Sequence, residues 1–325
     1  MYFLLRRLAY SLFLLVGASL LTFAISDLAP GDFFESMRLN PAISPATVAA
    51  IRAQHGADRA LPARYVRWVG SILQGDWGYS FAYNSPARPI LAPRVRNTLL
   101  LAAAATLLAW MLALPLGIWV AVHLGTWTDW LSGTIVSLLI AIPELVVALL
   151  LLLLAIHTGW LPSGGLTSAD QSLPGSTLLS DWKRLGDIIR HLVLPAVCLA
   201  AGLLPTIFLH VRTSVKETLQ SPFVVAARGY GIPQRRILLR HVLPAAANPL
   251  ISLLGLSAGL LMSSTLLVEV IFSWPGLGQL MVEAIMQRDY FLVIDASILA
   301  TSFLIAANLI ADLLLFANDP RIRAE

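Results

Sequence analysis

Charged residues are scarce in this sequence. Of its 325 residues, 12% are Asp, Glu, Lys or Arg, while 58% are hydrophobic. Soluble domains usually carry about 25% charged residues. A soluble core of this size cannot hide so much apolar surface, so the mean hydropathy of +0.78 argues against a water-soluble domain and for a chain whose solvent is lipid.

The residue patterns of most catalytic, nucleotide and metal sites are also absent. Only two lysines occur, Lys183 and Lys216, and neither lies in a glycine-rich phosphate loop, so we predict no ATP site of that kind. The six histidines have no i, i+4 partner and no nearby cysteine, which argues against a bound metal. No His-Glu-x-x-His pattern points to a metalloprotease. The sole cysteine, Cys198, excludes an internal disulfide.

Six long apolar runs dominate what the sequence does contain. Each approaches or exceeds the roughly 20 residues that a helix needs to cross a bilayer; they cover 8–28, 99–122, 131–156, 192–209, 245–272 and 293–316. Lipid offers the backbone no hydrogen bonds, so we predict six transmembrane helices, since barrel strands would alternate in polarity. The first run, preceded by Arg6 and Arg7, can also be read as a signal peptide, but it is too long and no A-x-A site follows.

Lysine and arginine residues predict how these helices are oriented. The side that holds both termini carries ten of them and the other side twelve, eight of which lie between the first two runs. A loop of that length crosses the membrane largely regardless of its charge, and without it the comparison is ten against four. We therefore predict that both termini are cytoplasmic. The net charge of +4 reflects this topology, and we predict no binding to nucleic acid.

The segment between the first two runs contains two predicted helices. Ser44-Pro45 and Gly56 have the cap, first-turn proline and stop of a short helix. In the stretch 61–81, six residues fall on one helical face: Leu61, Tyr65, Trp68, Val69, Ile72 and Leu73. Such a helix can pack in a small subdomain, lie at the membrane interface or receive a protein on the outer side. The sequence leaves these three uses open.

Glu144 and Asp312 are ionisable residues inside predicted spans, where such a group is a functional candidate by default. Asp312 lies near the cytoplasmic end of the sixth run, and we interpret it as structural. Glu144 follows Pro143 in the third run. Its carboxylate can line a polar pathway or be held by backbone groups that the proline frees, and the sequence leaves both roles open.

A basic, broken segment at residues 221–244 interrupts the apolar sequence. Ser221-Pro222 predicts the start of a short helix, and Gly231 predicts its end. Four residues at i, i+3, i+4 and i+7 share one face of this helix: Phe223, Ala226, Ala227 and Tyr230. Pro233 opens a second predicted helix, which carries three arginines and ends near Pro244. An exposed face of aromatic and small residues favours a docking surface, and a basic loop on anionic lipid is the alternative.

The spacing of this segment resembles the EAA loop of ABC importer permeases, which reads EAA, three residues, Gly, nine residues and I-x-L-P. Here Val225-Ala226-Ala227 is followed after three residues by Gly231, and after nine more by His241-Val242-Leu243-Pro244. Val225 stands where the family has glutamate, and His241 where it has isoleucine. The role of the family's glutamate therefore does not carry over to Val225.

Further segments resemble the dipeptide, oligopeptide and nickel branch of these permeases, and they lie at 29–32, 75–81, 159–165, 192–196, 268–280, 288–290 and 318–323. The resemblance implies the B-type subunit and an all-α type I importer permease fold with six transmembrane helices. The implied domains are a first transmembrane helix (1–28), a helical extracytoplasmic segment (29–97), a five-helix core (98–317) with a coupling loop at 212–244, and a cytoplasmic tail (318–325).

The resemblance also implies the partners. A second, similar permease completes the pathway in the bacterial inner membrane, two cytoplasmic ATPases bind ATP and Mg²⁺, and an extracytoplasmic binding protein delivers the solute. This chain itself would hold no cofactor. The implied ATPase-coupling residues are Phe223, Ala226, Ala227, Arg228, Tyr230, Gly231, Pro233 and Pro244. The implied outer gate, for which a plain turn is the alternative, comprises Trp274, Pro275, Gly276 and Gly278. In it Trp274 is predicted to anchor at the membrane interface, and Pro275, Gly276 and Gly278 are predicted to break the helix. Peptide, nickel-chelate, glutathione-like and opine solutes all remain open.

Two other functions are alternatives to an ATP-driven permease. An ion-coupled secondary transporter predicts paired broken helices in two related halves, and the sequence shows no internal repeat. An intramembrane enzyme needs a nucleophile with its base, or a metal site, within the spans, and neither pattern is found.

Overall fold

The computed structural model describes residues 2–28, 44, 46, 61–168 and 178–318. The helix predicted between Ser44 and Gly56 lies outside the described residues, apart from Ser44 and Ala46. The motif at 29–32 and all but the first residue of the motif at 318–323 lie outside them as well.

The described part of the chain is almost entirely helical. Its elements are α1 (Tyr2–Leu28), α2 (Leu61–Leu73), β1 (Tyr79–Ser80), β2 (Ser85–Pro86), α3 (Ala87–Val122), α4 (Trp127–Ala141), α5 (Glu144–Thr158), α6 (Leu178–Leu219), α7 (Pro222–Gly229), α8 (Gln234–Ile237), a π-helical turn (Leu238–Val242), α9 (Leu243–Ile271), α10 (Leu277–Met286) and α11 (Tyr290–Asn318). The two short strands pair antiparallel, with Tyr79 opposite Pro86 and Ser80 opposite Ser85.

Five of the described helical stretches are long and apolar enough to cross a membrane: Leu5–Ser26, Ala87–Val122, Trp182–Leu219, Gln234–Ile271 and Tyr290–Asn318. A sixth span is formed if α4 and α5, which meet at a bend of 96°, are taken together. Each of these two helices has 15 residues and is about 22 Å long, so neither alone crosses a hydrocarbon core of about 30 Å.

The third predicted span is therefore broken. Pro143 disfavours helical backbone at the residue before it and cannot donate a hydrogen bond to the preceding turn. Ile142 accordingly has extended backbone, with φ −86° and ψ 121°. The helix restarts at Glu144, which places an acidic residue at the break.

The second helix of the 221–244 segment does not end near Pro244, as the sequence predicted. It continues through the π-helical turn into α9, so that Gln234–Ile271 is one helical stretch. In the π-helical turn the Leu243 N–H donates to the Leu238 carbonyl, five residues back. A proline in an α-helix clashes with the carbonyl four residues earlier. The wider turn directly before Pro244 changes that geometry, so the helix continues through the proline.

The chain divides into two compact units, of which unit 2 comprises residues 99–274 and 306–325. Its core is built on α6, against which buried side chains of α3, α5 and α9 pack. Small residues allow close approach between these helices. A Cβ on Gly117 of α3 would lie 2.7 Å from Val211 Cγ1, and one on Gly255 of α9 would lie 2.9 Å from Asn308 Oδ1.

Unit 1 comprises residues 1–98 and 275–305. Here α2 packs through Tyr65 and Trp68 on Phe23 of α1, with ring centroids 5.6 and 5.7 Å apart. The predicted amphipathic helix is confirmed over Leu61–Leu73, although Leu73 itself is exposed. The packed-subdomain interpretation fits these contacts, and a role for the other face of α2 stays a prediction.

A buried acid joins α2 to α11 within unit 1. The Trp68 Nε1–H donates to Asp295 Oδ1 at 3.0 Å, and Asp295 is fully buried. Sequence reasoning did not single out Asp295, nor Glu269, a second fully buried acid that lies in α9. Both lie within apolar runs, where an ionisable residue is a functional candidate for the same reason as Glu144.

Candidate functional site

The start of α7 lies where the sequence predicted it. Pro222 occupies the first turn and Ser221 the N-cap position. The Ser221 side chain does not cap the helix, however, because its hydroxyl donates to the Thr218 carbonyl at 2.6 Å. This bond ties the start of α7 to the end of α6, so the two helices meet with little free chain between them.

The end of α7 confirms the predicted left-handed stop at Gly231, whose φ is +74°. The Gly231 N–H donates to Arg228 O at 2.9 Å, and the Ile232 N–H donates to Ala227 O at 3.2 Å. This pair of bonds is the Schellman motif, in which a glycine at C′ lets two otherwise unpaired carbonyls of the last turn accept hydrogen bonds. It fixes the direction in which the chain leaves α7.

The faces of α7 differ in part from the prediction. Val224 and Ala227 are buried in the core of unit 2, whereas Phe223, Ala226 and Tyr230 are exposed. Ala227 is therefore not a member of the exposed face, and placing it there was wrong. Burial at i and i+3 shows that the inner stripe of the helix runs through Val224 and Ala227.

The exposed stripe of α7 is rich in large apolar side chains. Phe223, Val225 and Tyr230 are 48%, 58% and 87% exposed. The other predicted coupling residues outside the inner stripe are exposed as well, namely Arg228, Gly231, Pro233 and Pro244. We call the exposed residues Phe223, Val225, Ala226 and Tyr230 the α7 face. Large exposed apolar residues on so short a helix mark an interaction surface.

An ion pair that the sequence did not reveal holds the C-terminal part of α6. The Nε and Nη2 groups of Arg212 both donate to Asp129 Oδ1, at 2.9 and 2.7 Å. Asp129 Oδ2 accepts the Gly125 N–H at 3.1 Å. Because Asp129 lies in the first turn of α4, these bonds join α4 to the helix that leads into α7.

The predicted outer-gate residues do not act as one group. Trp274 is fully buried in the core of unit 2, so its predicted role as an interfacial anchor is wrong. The Phe272 carbonyl accepts the Gly165 N–H at 2.9 Å. A Cβ on Gly164 would lie 2.6 Å from the same oxygen. This turn is thus closed tightly by the chain itself.

Pro275, Gly276 and Gly278 lie in unit 1, at the start of α10. The Asn97 side chain donates to the Pro275 carbonyl at 2.8 Å, and the Leu277 N–H donates to the Thr98 hydroxyl at 2.8 Å. Gly276 is the N-cap residue of α10. Gly278 does not break a helix, as the sequence predicted, because it lies inside α10.

Glu144 lies among three helices of unit 2. Gly202 of α6 is so close that a Cβ there would be 3.7 Å from the Glu144 carboxyl carbon. The Cys198 thiol, one turn earlier on α6, lies 4.0 Å from the Glu144 carbonyl oxygen. Ser264 of α9 lies near the carboxyl group, whose Oε1 is buried without a hydrogen-bond partner in the described structure.

The remaining predicted residues add no catalytic grouping. Asp312 is half-buried in the last third of α11. Within the described ranges, no three metal-ligating side chains are grouped in a way that could hold a metal ion. The arrangement offers a docking surface on α7 and a polar site at Glu144.

Comparison with known proteins gives two family matches, two relatives and one solved structure. Residues 113–324 match the family described as "Binding-protein-dependent transport system inner membrane component", and residues 1–102 match "Binding-prot-dependent transport system membrane comp, N-term". The oligopeptide transport system permease protein AppB of Bacillus subtilis is 32% identical over 323 residues, covering 98% of each chain.

The dipeptide transport system permease protein DppB of Escherichia coli K12 is 32% identical over 336 residues, covering 99% of this chain and 98% of the relative. Among solved structures, the inward-facing MetNI methionine ABC transporter matches with a TM-score of 0.50 and 16% identity, over 71% of this chain and 96% of the matched chain. At that identity the likeness shows a shared fold.

Proposed function

Because this chain belongs to the family of binding-protein-dependent transport system inner membrane components, we propose that it forms half of the translocation pathway of an ATP-driven importer of peptides or related small solutes. The resemblance found in the 221–244 segment is confirmed by this membership, and so is the type I importer permease fold. The ion-coupled alternative is not supported: only one bent pair of helices occurs among the described residues, where that alternative needs two.

The observation that carries the proposal is the α7 face. Three large apolar side chains are exposed, namely Phe223 and Val225 on this eight-residue helix and Tyr230 at its C-cap. Arg228 of α7 and Arg235 and Arg236 of α8 are exposed as well. Apolar and arginine side chains together are typical of the centre of a protein–protein interface. We assign this surface to a cytoplasmic ATPase. ATP and Mg²⁺ are then held by that partner, and the energy of hydrolysis enters the permease through α7.

The structure suits α7 to transmit movement. Val224 and Ala227 are embedded in the core of unit 2, the Schellman motif fixes the end of the helix, and two short links join it to α6 and α8. When the two ATPases close on ATP, α7 moves with them as a rigid lever. The long helices then shift between inward-open and outward-open arrangements. Such coupling requires that α7 bind the two states of the ATPase with different affinities.

The rest of the assembly follows from the family. A second permease, of the same or of different sequence, supplies the other half of the pathway. An extracytoplasmic binding protein delivers the solute on the side of the membrane that holds residues 29–97. Both termini lie in the cytoplasm of a bacterial cell, and lipid surrounds the helices of the 98–317 core. The names of AppB and DppB suggest peptides as the solute.

Reconstitution tests this proposal directly. The chain should co-purify with two ATPase subunits, and the purified complex in lipid vesicles should take up a dipeptide only when ATP and the binding protein are supplied. A non-hydrolysable ATP analogue is the control, and it should support no uptake. Uptake without ATP, or by the permease without any ATPase, would overturn the proposal.

A further inference from the structure

The carboxyl group of Glu144 lies in the membrane-spanning part of unit 2 and meets two other helices. Gly202 of α6 leaves it room, since even a Cβ there would stand 3.9 Å from each carboxyl oxygen. Ser264 of α9 lies near the same group. An ionisable residue within a membrane is costly to keep, so its presence between three helices calls for a role.

The surrounding residues leave part of the hydrogen-bonding capacity of this carboxyl group unfilled. Oε1 is buried and accepts no hydrogen bond from any described residue. No lysine, arginine or histidine of the described ranges forms an ion pair with Glu144. A buried acceptor left unsatisfied costs free energy. The site therefore fits a ligand that brings both N–H donors and a positive charge.

The break in the span adds more acceptors beside Glu144. Helix α4 ends at Ala141. Of its last four carbonyls, that of Leu138 accepts the Ile142 N–H at 3.2 Å, and the other three have no partner within the helix. That end also carries a partial negative charge. The first N–H groups of α5 would instead attract an anion. This attraction is reduced, because the N–H groups of Val146 and Val147 already donate to the Pro143 carbonyl at 2.9 and 3.2 Å. The break as a whole favours cations over anions.

We propose that Glu144 forms a cation subsite of the translocation pathway, which binds the protonated amino group of the solute as it passes. An ammonium group has three N–H donors and no acceptor. The Glu144 carboxylate, the Ser264 hydroxyl and backbone carbonyls of the break match these donors. The ligand class is an aliphatic amine in its charged form, and a peptide with a free amino terminus belongs to it. The inference rests on the proposed function, because it places Glu144 in the path of an imported solute.

Thiol chemistry beside Glu144 tests the subsite without knowledge of the solute. In a Cys198→Ala background, which removes the only native thiol, Ser264→Cys places a reporter next to the carboxylate. The complete complex in vesicles is treated with a cationic reagent, 2-(trimethylammonium)ethyl methanethiosulfonate, or with the anionic 2-sulfonatoethyl methanethiosulfonate. Rates are measured in the resting state and in the vanadate-trapped state.

We expect the cationic reagent to react about tenfold faster than the anionic one in at least one state, because a nearby carboxylate attracts one and repels the other. Adding Glu144→Gln should bring the ratio of the two rates close to one, while Glu144→Asp, which keeps the charge, should preserve most of it. Ser263→Cys is the matched control: it lies one residue away on an exposed position of α9, and its ratio should not depend on residue 144.

Three results would overturn the subsite: no reaction in either state, equal rates for the two reagents, or a ratio that Glu144→Gln leaves unchanged. An equal or reversed ratio would show that a basic group of another subunit already neutralises Glu144. Each of these results leaves ATP-dependent uptake by the wild-type complex intact. Loss of the ATP dependence itself would instead overturn the proposed function, while the rate ratio would still report on the charge at Glu144.

Discussion

The short helices α7 and α10 each join two long apolar helices, and they differ in what covers them. Six of the eight residues of α7 are exposed. On α10, by contrast, only the last two residues, Ile285 and Met286, are exposed. The start of α10 is held by a hydrogen bond that Asn97 donates to the Pro275 carbonyl and by one that the Thr98 hydroxyl accepts from the Leu277 N–H. The chain itself covers most of α10, whereas it leaves most of α7 exposed.

This difference shows where the protein depends on another subunit. A segment that buries its apolar side chains and pairs its backbone within the chain needs nothing further. A segment that leaves Phe223, Val225 and Tyr230 in contact with solvent has a surface that only a partner can bury. Mutations in the two helices should therefore have different consequences: loss of assembly or coupling at α7, and loss of stability at the turn before α10.

The largest expected effect is that of Gly231→Val. A β-branched residue at a φ of +74° is strained by about 1–2 kcal/mol or more, so the Schellman motif should open and α7 should lose its fixed direction. We expect ATP-dependent uptake to fall at least tenfold while the chain still inserts into the membrane, as measured by transport into vesicles and by membrane fractionation.

Gly229→Val is the matched control for this change. Gly229 is exposed and has ordinary helical backbone, and no atom lies within 4 Å of a Cβ added there, so most of the uptake should remain. Normal uptake with solute-stimulated ATPase activity in Gly231→Val would contradict the lever mechanism.

A second test removes part of the α7 face. Tyr230→Ala should weaken ATPase binding by about 2 kcal/mol, or roughly 30-fold in affinity, because large aromatic side chains dominate the energy of interfaces. The measurement is co-purification of the ATPase at decreasing concentration. Trp160→Ala, at an aromatic residue that is similarly exposed but lies outside α7, should leave co-purification unchanged. An equal loss of ATPase co-purification in both variants would contradict the assignment of the α7 face to the ATPase.

A third test asks whether the turn before α10 is closed by its own chain. Gly164→Ala puts a Cβ 2.6 Å from the Phe272 carbonyl, and such overpacking usually costs about 1–3 kcal/mol. We expect a lower melting temperature in detergent, with ATPase binding retained. Gly186→Ala, at a helical glycine with open space around it, should not lower the melting temperature. A Gly164→Ala protein as stable as wild type would show that the turn is loose.

The sequence predicted those parts of the fold that depend on local chemistry. Long apolar runs predicted the spans, and Pro222 and Gly231 predicted both ends of α7, because caps and stops are properties of a few neighbouring residues. The same residues could not show which side of α7 faces the core. That choice depends on α6 and α9, so Ala227 was placed on the wrong face and Val224 was overlooked.

Contacts between distant parts of the chain also escaped prediction. The bond from Trp68 to Asp295 joins residues 227 positions apart, and the pair of Asp129 with Arg212 joins residues 83 positions apart. The burial of Trp274 belongs to the same class, since tryptophan is equally suited to a membrane interface and to a core. Pro143 marked the break in the third span, but the angle of the bend depends on packing.

The smallest expected effect concerns Tyr83, whose hydroxyl donates to Glu283 Oε2 of α10 at 2.6 Å. Partial burial, together with the hydrogen bond and charge of Glu283, raises the pKa of Tyr83 to about 12. A raised pKa in the folded state contributes stability that is fully present below the ordinary pKa of 10.0 and is lost as the pH rises toward 12.

Ultraviolet difference spectra of wild type against Tyr83→Phe should therefore place this titration near pH 12. Glu283→Gln should move it back toward the ordinary value, because the negative charge on α10 is gone. A titration near pH 10 in the wild type would show that the Tyr83 hydroxyl does not form its hydrogen bond with Glu283 of α10.

The π-helical turn at Leu238–Val242 changes which side chains of its helix face the core. Ile237 and Val242 are both fully buried, yet residues five apart in an α-helix point about 140° away from each other. The five-residue hydrogen bond of the turn brings them back into phase. One surplus residue thus lets the basic part of the helix and its membrane part keep a common inner face. Removing a single residue within 238–242 would preserve that alignment, while the same deletion one turn further into α9 would rotate every buried side chain beyond it.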